Sequence, residues 1–172
     1  MIGTIAAFEV RKRCSLLSTY VYFGLFFAMA FLTTIVAGGA FQGTALIVSG
    51  SGGKTWINSP YVIFSMTSLL SYFGLLVTSA IMGGAVYQDF HYRTYMFFFT
   101  APIRKFDYLV GRFLGALVVL VLIFASIGLG IWLGSMMPFV DRVTFGPNRL
   151  AAYVQPYLLV VLPNLIITGA LF

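Results

Sequence analysis

Charge is what this sequence most lacks. Only 8% of its 172 residues are Asp, Glu, Lys or Arg, against roughly 25% in soluble domains. Hydrophobic residues make up 60% and the mean hydropathy is +1.00, which excludes a soluble globular domain and points to a chain solvated by lipid. Histidine and cysteine are nearly absent too, at one each, His91 and Cys14. A lone histidine outside any HExxH pattern recruits no zinc, and no GxxxxGK[ST] phosphate loop is present. The chain reads as no enzyme, with no catalytic residue, metal site or cofactor of its own. One thiol forms no intrachain disulfide, and beside Arg11-Lys12-Arg13 it fits a reducing compartment. Cys14 is there a small apolar filler or a juxtamembrane acylation site.

The few charges divide the chain. Residues 14–53, 55–88, 113–140 and 150–172 contain no Asp, Glu, Lys or Arg, and each is long enough for the ~20 apolar residues that a helix needs to cross a bilayer core. The reading is an all-α polytopic bundle of about four spans, at 20–40, 61–87, 113–137 and 153–172. Membrane β-strands would alternate apolar and polar residues, and LGALVVLVLIF does not. The basic cluster ahead of the first span is followed by no small-residue cleavage pattern, so residues 1–19 read as a retained interfacial segment.

Basic residues also set orientation. Arg11, Lys12, Arg13, Arg93, Arg104, Lys105 and Arg112 fall on one side of the spans, against Lys54, Arg142 and Arg149 on the other. Seven against three places the N-terminus in the cytoplasm of a bacterial inner membrane. The net charge of +6 is thus topological and calls for no nucleic acid. On the other side, SGSGGKTWINSP reads as an open loop with Trp56 as interfacial anchor, and Gly146-Pro147-Asn148 as a turn. The middles of all four spans lack ionisable residues, which disfavours a proton-coupled carrier. Gly111 with Gly115, and Gly130 with Gly134, have the spacing at which helix backbones pack closely, within the bundle or across a dimer. Pro163 predicts a kink in the last span, and the apolar run is unfinished at GALF, so the chain reads as part of a longer frame.

One segment, QDFHYRTYMFFFTAPIRKFDYLVGR, concentrates the remaining chemistry. Asp89, His91 and Arg93 end the second span, while Arg104, Lys105, Asp107 and Arg112 delay the third. Between them Tyr95, Met96, Phe97, Phe98 and Phe99 make an apolar patch that marks an interface, and Pro102 disfavours helix at Ala101. Two readings stay open: a short helix docked in a partner's groove and oriented by basic flanks, or an aromatic run belonging to a longer second span.

The order Asp89, Thr94, apolar run, Pro102, Arg104, Gly111, Arg112 resembles the cytoplasmic connection between spans two and three of ABC-2 type exporter permeases. In that family the connection is a coupling helix that receives movement from a separate ATPase subunit, and FEVRKR resembles the family's interfacial elbow. Arg93 departs from the glycine that many members carry before the threonine. More narrowly, NSPYVIFSM, SAIMGGAVYQDF, FFFTAPIRKFDYLVGRFLG, GPN and LPNLIITGALF resemble the N-terminal region of permeases fused to an M1-family aminopeptidase-like domain. The resemblance covers nearly the whole chain and implies six spans in the complete permease domain, two of them beyond this chain.

It further implies that residues 88–112 couple to an ABC ATPase subunit through Asp89, Arg93, Thr94, Tyr95, Phe97, Phe98, Phe99, Pro102, Arg104 and Lys105. Gly111, Arg112 and Gly115 then end that segment and pack the next helix. ATP and Mg would be bound by the partner, and a second permease copy would complete the pathway. The alternative function class is a membrane anchor or assembly subunit that transports nothing and positions an enzyme, including a fused aminopeptidase-like domain.

Overall fold

Ser15 and Thr19 decide where the first helix stops. The computed structural model describes residues 2–39, 56–91, 104–138, 140 and 145–171, without the side chains of 85, 86 and 88–90. Helix α1, Ile2–Cys14, ends where Ser15 Oγ donates to the Lys12 carbonyl at 2.6 Å and Thr19 Oγ1 to the Arg13 carbonyl at 2.7 Å. These hydroxyls occupy acceptors that a helix C-terminus leaves open, and the chain restarts as α2, Leu17–Ala37. Gly39 closes α2 at φ 80°, the left-handed region that penalises a Cβ.

Helix α3, Pro60–His91, opens on a proline at its first position, where the missing N–H costs nothing. Its 32 residues make about 48 Å at 1.5 Å per residue, well beyond the ~30 Å hydrocarbon core. Helix α4, Lys105–Ser135, is of similar length. It begins at Lys105, ahead of the apolar span read from Phe113, because a helix need not end where hydrocarbon ends. Asp107 in its first turn complements the helix dipole, and Arg112 is neutralised by a partner described below. The last crossing is divided into α5, Leu150–Pro156, a π turn at Tyr157–Val161, and α6, Leu162–Ala170.

The protein is an all-α bundle in which four helical stretches, Leu17–Ala37, Pro60–Gly84, Lys105–Ser135 and Leu150–Ala170, are long and apolar enough to cross a membrane. Helix α4 is the axis: it touches α1, α2, α3 and the last crossing. Phe124, fully buried midway along it, lies with its ring 5.1 Å from that of Phe26 on α2. It also fills the notch at Gly74 on α3, where a Cβ would come within 2.0 Å of the ring.

Lipid tails are as apolar as leucine, so close approach and dispersion rather than hydrophobic burial hold such helices together. Gly130 and Gly134 provide that approach toward α2, with the Phe27 carbonyl only 2.7 Å from a Cβ built on Gly130. Two of the buried hydroxyls return to their own helix, Thr34 to the Ala30 carbonyl at 2.8 Å and Thr78 to that of Gly74 at 2.9 Å. That satisfies them where no water is at hand.

Candidate functional site

The base of the bundle holds three charges that composition alone would place in water. Glu9 and Arg13 are one helical turn apart on α1, and Arg112 is near the start of α4. All three are buried, at 1%, 8% and 3% exposure, which charged residues tolerate only when paired. The Glu9 carboxylate accepts from Arg13 Nε at 2.6 Å and, through its other oxygen, from Arg112 Nη1. Arg13 Nη2 donates at 3.0 Å to the carbonyl of Ile81 on α3. The Arg112 guanidinium also lies 5.5 Å from the centroid of the Tyr108 ring, a cation–π distance.

One carboxylate thus joins two arginines, and the cluster ties α1 to the lower halves of both α3 and α4, at Ile81 and Arg112. Glycine makes the geometry reachable. A Cβ on Gly115 would sit 2.6 Å from Glu9 Cβ and 2.8 Å from the Ala6 carbonyl, and one on Gly111 2.8 Å from Ile5 Cβ. Without these bare positions α1 could not lie close enough for Glu9 to meet Arg112.

The sequence-predicted residues fall into three groups. Gly111, Arg112 and Gly115 come together under α1. Arg104 and Lys105 are exposed at the start of α4, next to Phe106 at 70% exposure. Asp89 is in the last turn of α3 with its side chain outside the description, and Arg93, Thr94, Tyr95, Phe97, Phe98, Phe99 and Pro102 lie outside the described residues.

Sequence reasoning missed Glu9, Arg13 and the Ile81 carbonyl. Their signal was the i,i+4 spacing of opposite charges, obscured because Arg11 and Lys12 carry like charge around the rest of the helix. No family model, curated protein or solved structure matches this chain. Among the described residues no three His, Cys, Asp or Glu side chains converge as a metal site requires.

A second polar cluster closes the opposite end. Asn58, buried just ahead of α3, donates to the Gly146 carbonyl at 2.5 Å and to Asn148 Oδ1 at 3.0 Å, and accepts from Gly146 N–H at 2.7 Å. Tyr153 on α5 donates to the same Asn148 oxygen at 2.9 Å, and Asn148 Nδ2 reaches Ser135 Oγ on α4 at 3.4 Å. Trp56 lies against Gly146, where a Cβ would come within 2.4 Å of the indole. This clasp joins α3, α4 and α5 without a formal charge, as the clamp joins α1, α3 and α4 with three.

Proposed function

We propose that the chain is a membrane-spanning permease subunit of an ATP-driven exporter of the ABC type, with its N-terminus in the cytoplasm of a bacterial inner membrane. One observation carries this reading. The connection bearing the coupling motif, residues 92–103, joins the lower ends of α3 and α4, and Arg13 and Glu9 hold α1 to the lower halves of those same helices, at the Ile81 carbonyl and at Arg112. A force applied to that connection by a partner is therefore delivered to three helices as one body. Breaking a buried pair costs about 3–5 kcal/mol, so the clamp resists being pulled apart during such a stroke.

In this reading Arg104 and Lys105, exposed beside the connection, orient the ATPase, and Tyr95, Phe97, Phe98 and Phe99 dock into it. Asp89, Arg93, Thr94 and Pro102 shape the docked segment, while Gly111, Arg112 and Gly115 brace its exit. The ATPase binds ATP and Mg, and a second copy of the permease completes the pathway.

The test is co-purification of an ATPase subunit encoded beside this chain. Wild-type chain retains the ATPase and stimulates its turnover in lipid; Phe98→Asp inserts at normal yield and loses it. Retention of the ATPase by Phe98→Asp at wild-type yield overturns the coupling assignment, and absence of any associated ATPase activity favours the anchor function instead.

A further inference from the structure

The exposed side of α3 is divided lengthwise into two surfaces. At about 100° per residue, Tyr61, Ser65, Ser68, Tyr72 and Ser79 fall in one sector about 60° wide, and from 61 to 79 that sector holds hydroxyl residues alone. Leu69, Phe73 and Leu76 occupy the sector beside it, at 57%, 54% and 77% exposure. Met66, Leu70 and Gly74 lie on the opposite side and face the core. From Tyr61 to Ser79 the hydroxyl sector runs about 27 Å, nearly the ~30 Å of the hydrocarbon core.

Lipid suits only one of these two surfaces. A serine hydroxyl tolerates hydrocarbon by bonding back to its own helix, as Ser68 Oγ does to the Phe64 carbonyl at 2.8 Å. A tyrosine hydroxyl stands at the far end of its ring and cannot. Tyr61 is at the end of the helix, where interfacial water meets such groups. Tyr72 is midway along the crossing Pro60–Gly84 and 71% exposed. It is about 18 Å from Pro60, too deep to reach either headgroup layer. Among lipid tails its hydroxyl would go without a partner, which a bilayer penalises strongly. That partner comes from outside the described bundle.

A closely packed helix fits this sector poorly. Membrane helices approach one another through small residues, as this chain does at Gly115 and Gly130. Here Tyr61 and Tyr72 hold a neighbour off, and Ser65 and Ser68 form the floor between them. We infer that this sector of α3 is the wall of a water-filled track across the membrane, for uncharged cargo that hydrogen-bonds through hydroxyl, ether or amide groups. Its five residues hold no charge with which to balance an ion, and each tyrosine offers a flat apolar ring beside its hydroxyl. That cargo is moved along the track rests on the exporter reading; that the sector meets water does not.

Cysteine labelling of the full chain in membranes tests it, in a background with Cys14→Ser. A thiol attacks a maleimide as the thiolate, a form that water supports and hydrocarbon does not. Ser65→Cys, Ser68→Cys, Tyr72→Cys and Ser79→Cys are expected to react with N-(2-hydroxyethyl)maleimide about tenfold faster, or more, than Leu69→Cys, Phe73→Cys and Leu76→Cys. Maleimides bearing a sulfonate or a trimethylammonium group, with rates normalised to a free thiol, are expected to lag about tenfold at Tyr72→Cys. Equal rates for neutral and charged reagents there overturn the preference for uncharged cargo. Equally slow labelling in both sectors overturns the track, and so does oxidative cross-linking of Ser68→Cys between two copies. Either result leaves the exporter reading standing where the chain still retains an ATPase, because labelling needs none. Fast labelling of the hydroxyl sector in a chain without associated ATPase activity keeps the water-filled wall and removes the transport.

Discussion

Glu9 accepts a hydrogen bond from Arg112, 103 residues further along the chain, and it does so beside Gly115, whose missing Cβ is what admits Glu9 to that position. Charge and bare backbone are thus two parts of one contact. Removing either should release α1, but by different physics.

Arg112→Met leaves Glu9 buried with one partner and should cost about 3–5 kcal/mol. Replacing all three charges, Glu9→Leu with Arg13→Met and Arg112→Met, should recover most of that loss, because apolar substitutes carry no desolvation penalty. Titration with SDS in mixed micelles, followed by tryptophan emission, measures both. A triple variant as unstable as the single one would count against charge pairing as the source of the stability.

Gly115→Ala keeps every charge and removes the space. Overpacking costs about 1–3 kcal/mol, so maleimide labelling of Cys14, partly buried at the end of α1, should accelerate roughly five- to hundredfold. Gly84→Ala is the control, since a Cβ there meets nothing within 4 Å. Equal labelling rates in the two variants would mean that α1 does not rest on Gly115.

Asn58→Leu deprives both polar groups of Gly146 and should cost about 1–3 kcal/mol. In a Trp132→Phe background Trp56 is the only indole left, and its emission should shift to longer wavelength as its packing on Gly146 loosens. Asn58→Asp, which can still accept from Gly146 N–H, should lie between the two. An unchanged spectrum in Asn58→Leu would show that Trp56 is held by something else.

Arg104→Glu with Lys105→Glu alters exposed side chains and should leave stability within about 0.5 kcal/mol of wild type. On the exporter reading proposed above, its effect should appear in association with the proposed ATPase, with wild-type association weakening as ionic strength rises. A variant that binds the ATPase normally at low salt would remove these residues from the coupling role.

The four crossings were legible because each is a run without charge, and lipid sets a minimum length for such runs. The helix ends were less so. Lys105 to Arg112 look like loop by charge, yet they are the first turns of α4, because Arg112 meets its counter-charge on another helix. No local pattern announces a partner 103 residues away. The spacing of Gly111 and Gly115 did announce a close approach, though not which helix would make it. Pro163 likewise announced a break. The structure puts the irregularity just ahead of it, where a widened turn relieves the clash between the proline ring and the carbonyl four residues back.

The separation between Glu9 and Arg112 also has a meaning in time. At about 5–20 residues per second, synthesis delivers Arg112 to the membrane roughly 5–20 s after Glu9. Throughout that interval α1 is a cationic helix without its counterpart. Helices that insert one by one and associate afterwards leave it waiting until the third crossing has been made. Helix α1 is thus made before the other described helices, yet it settles only after the third crossing.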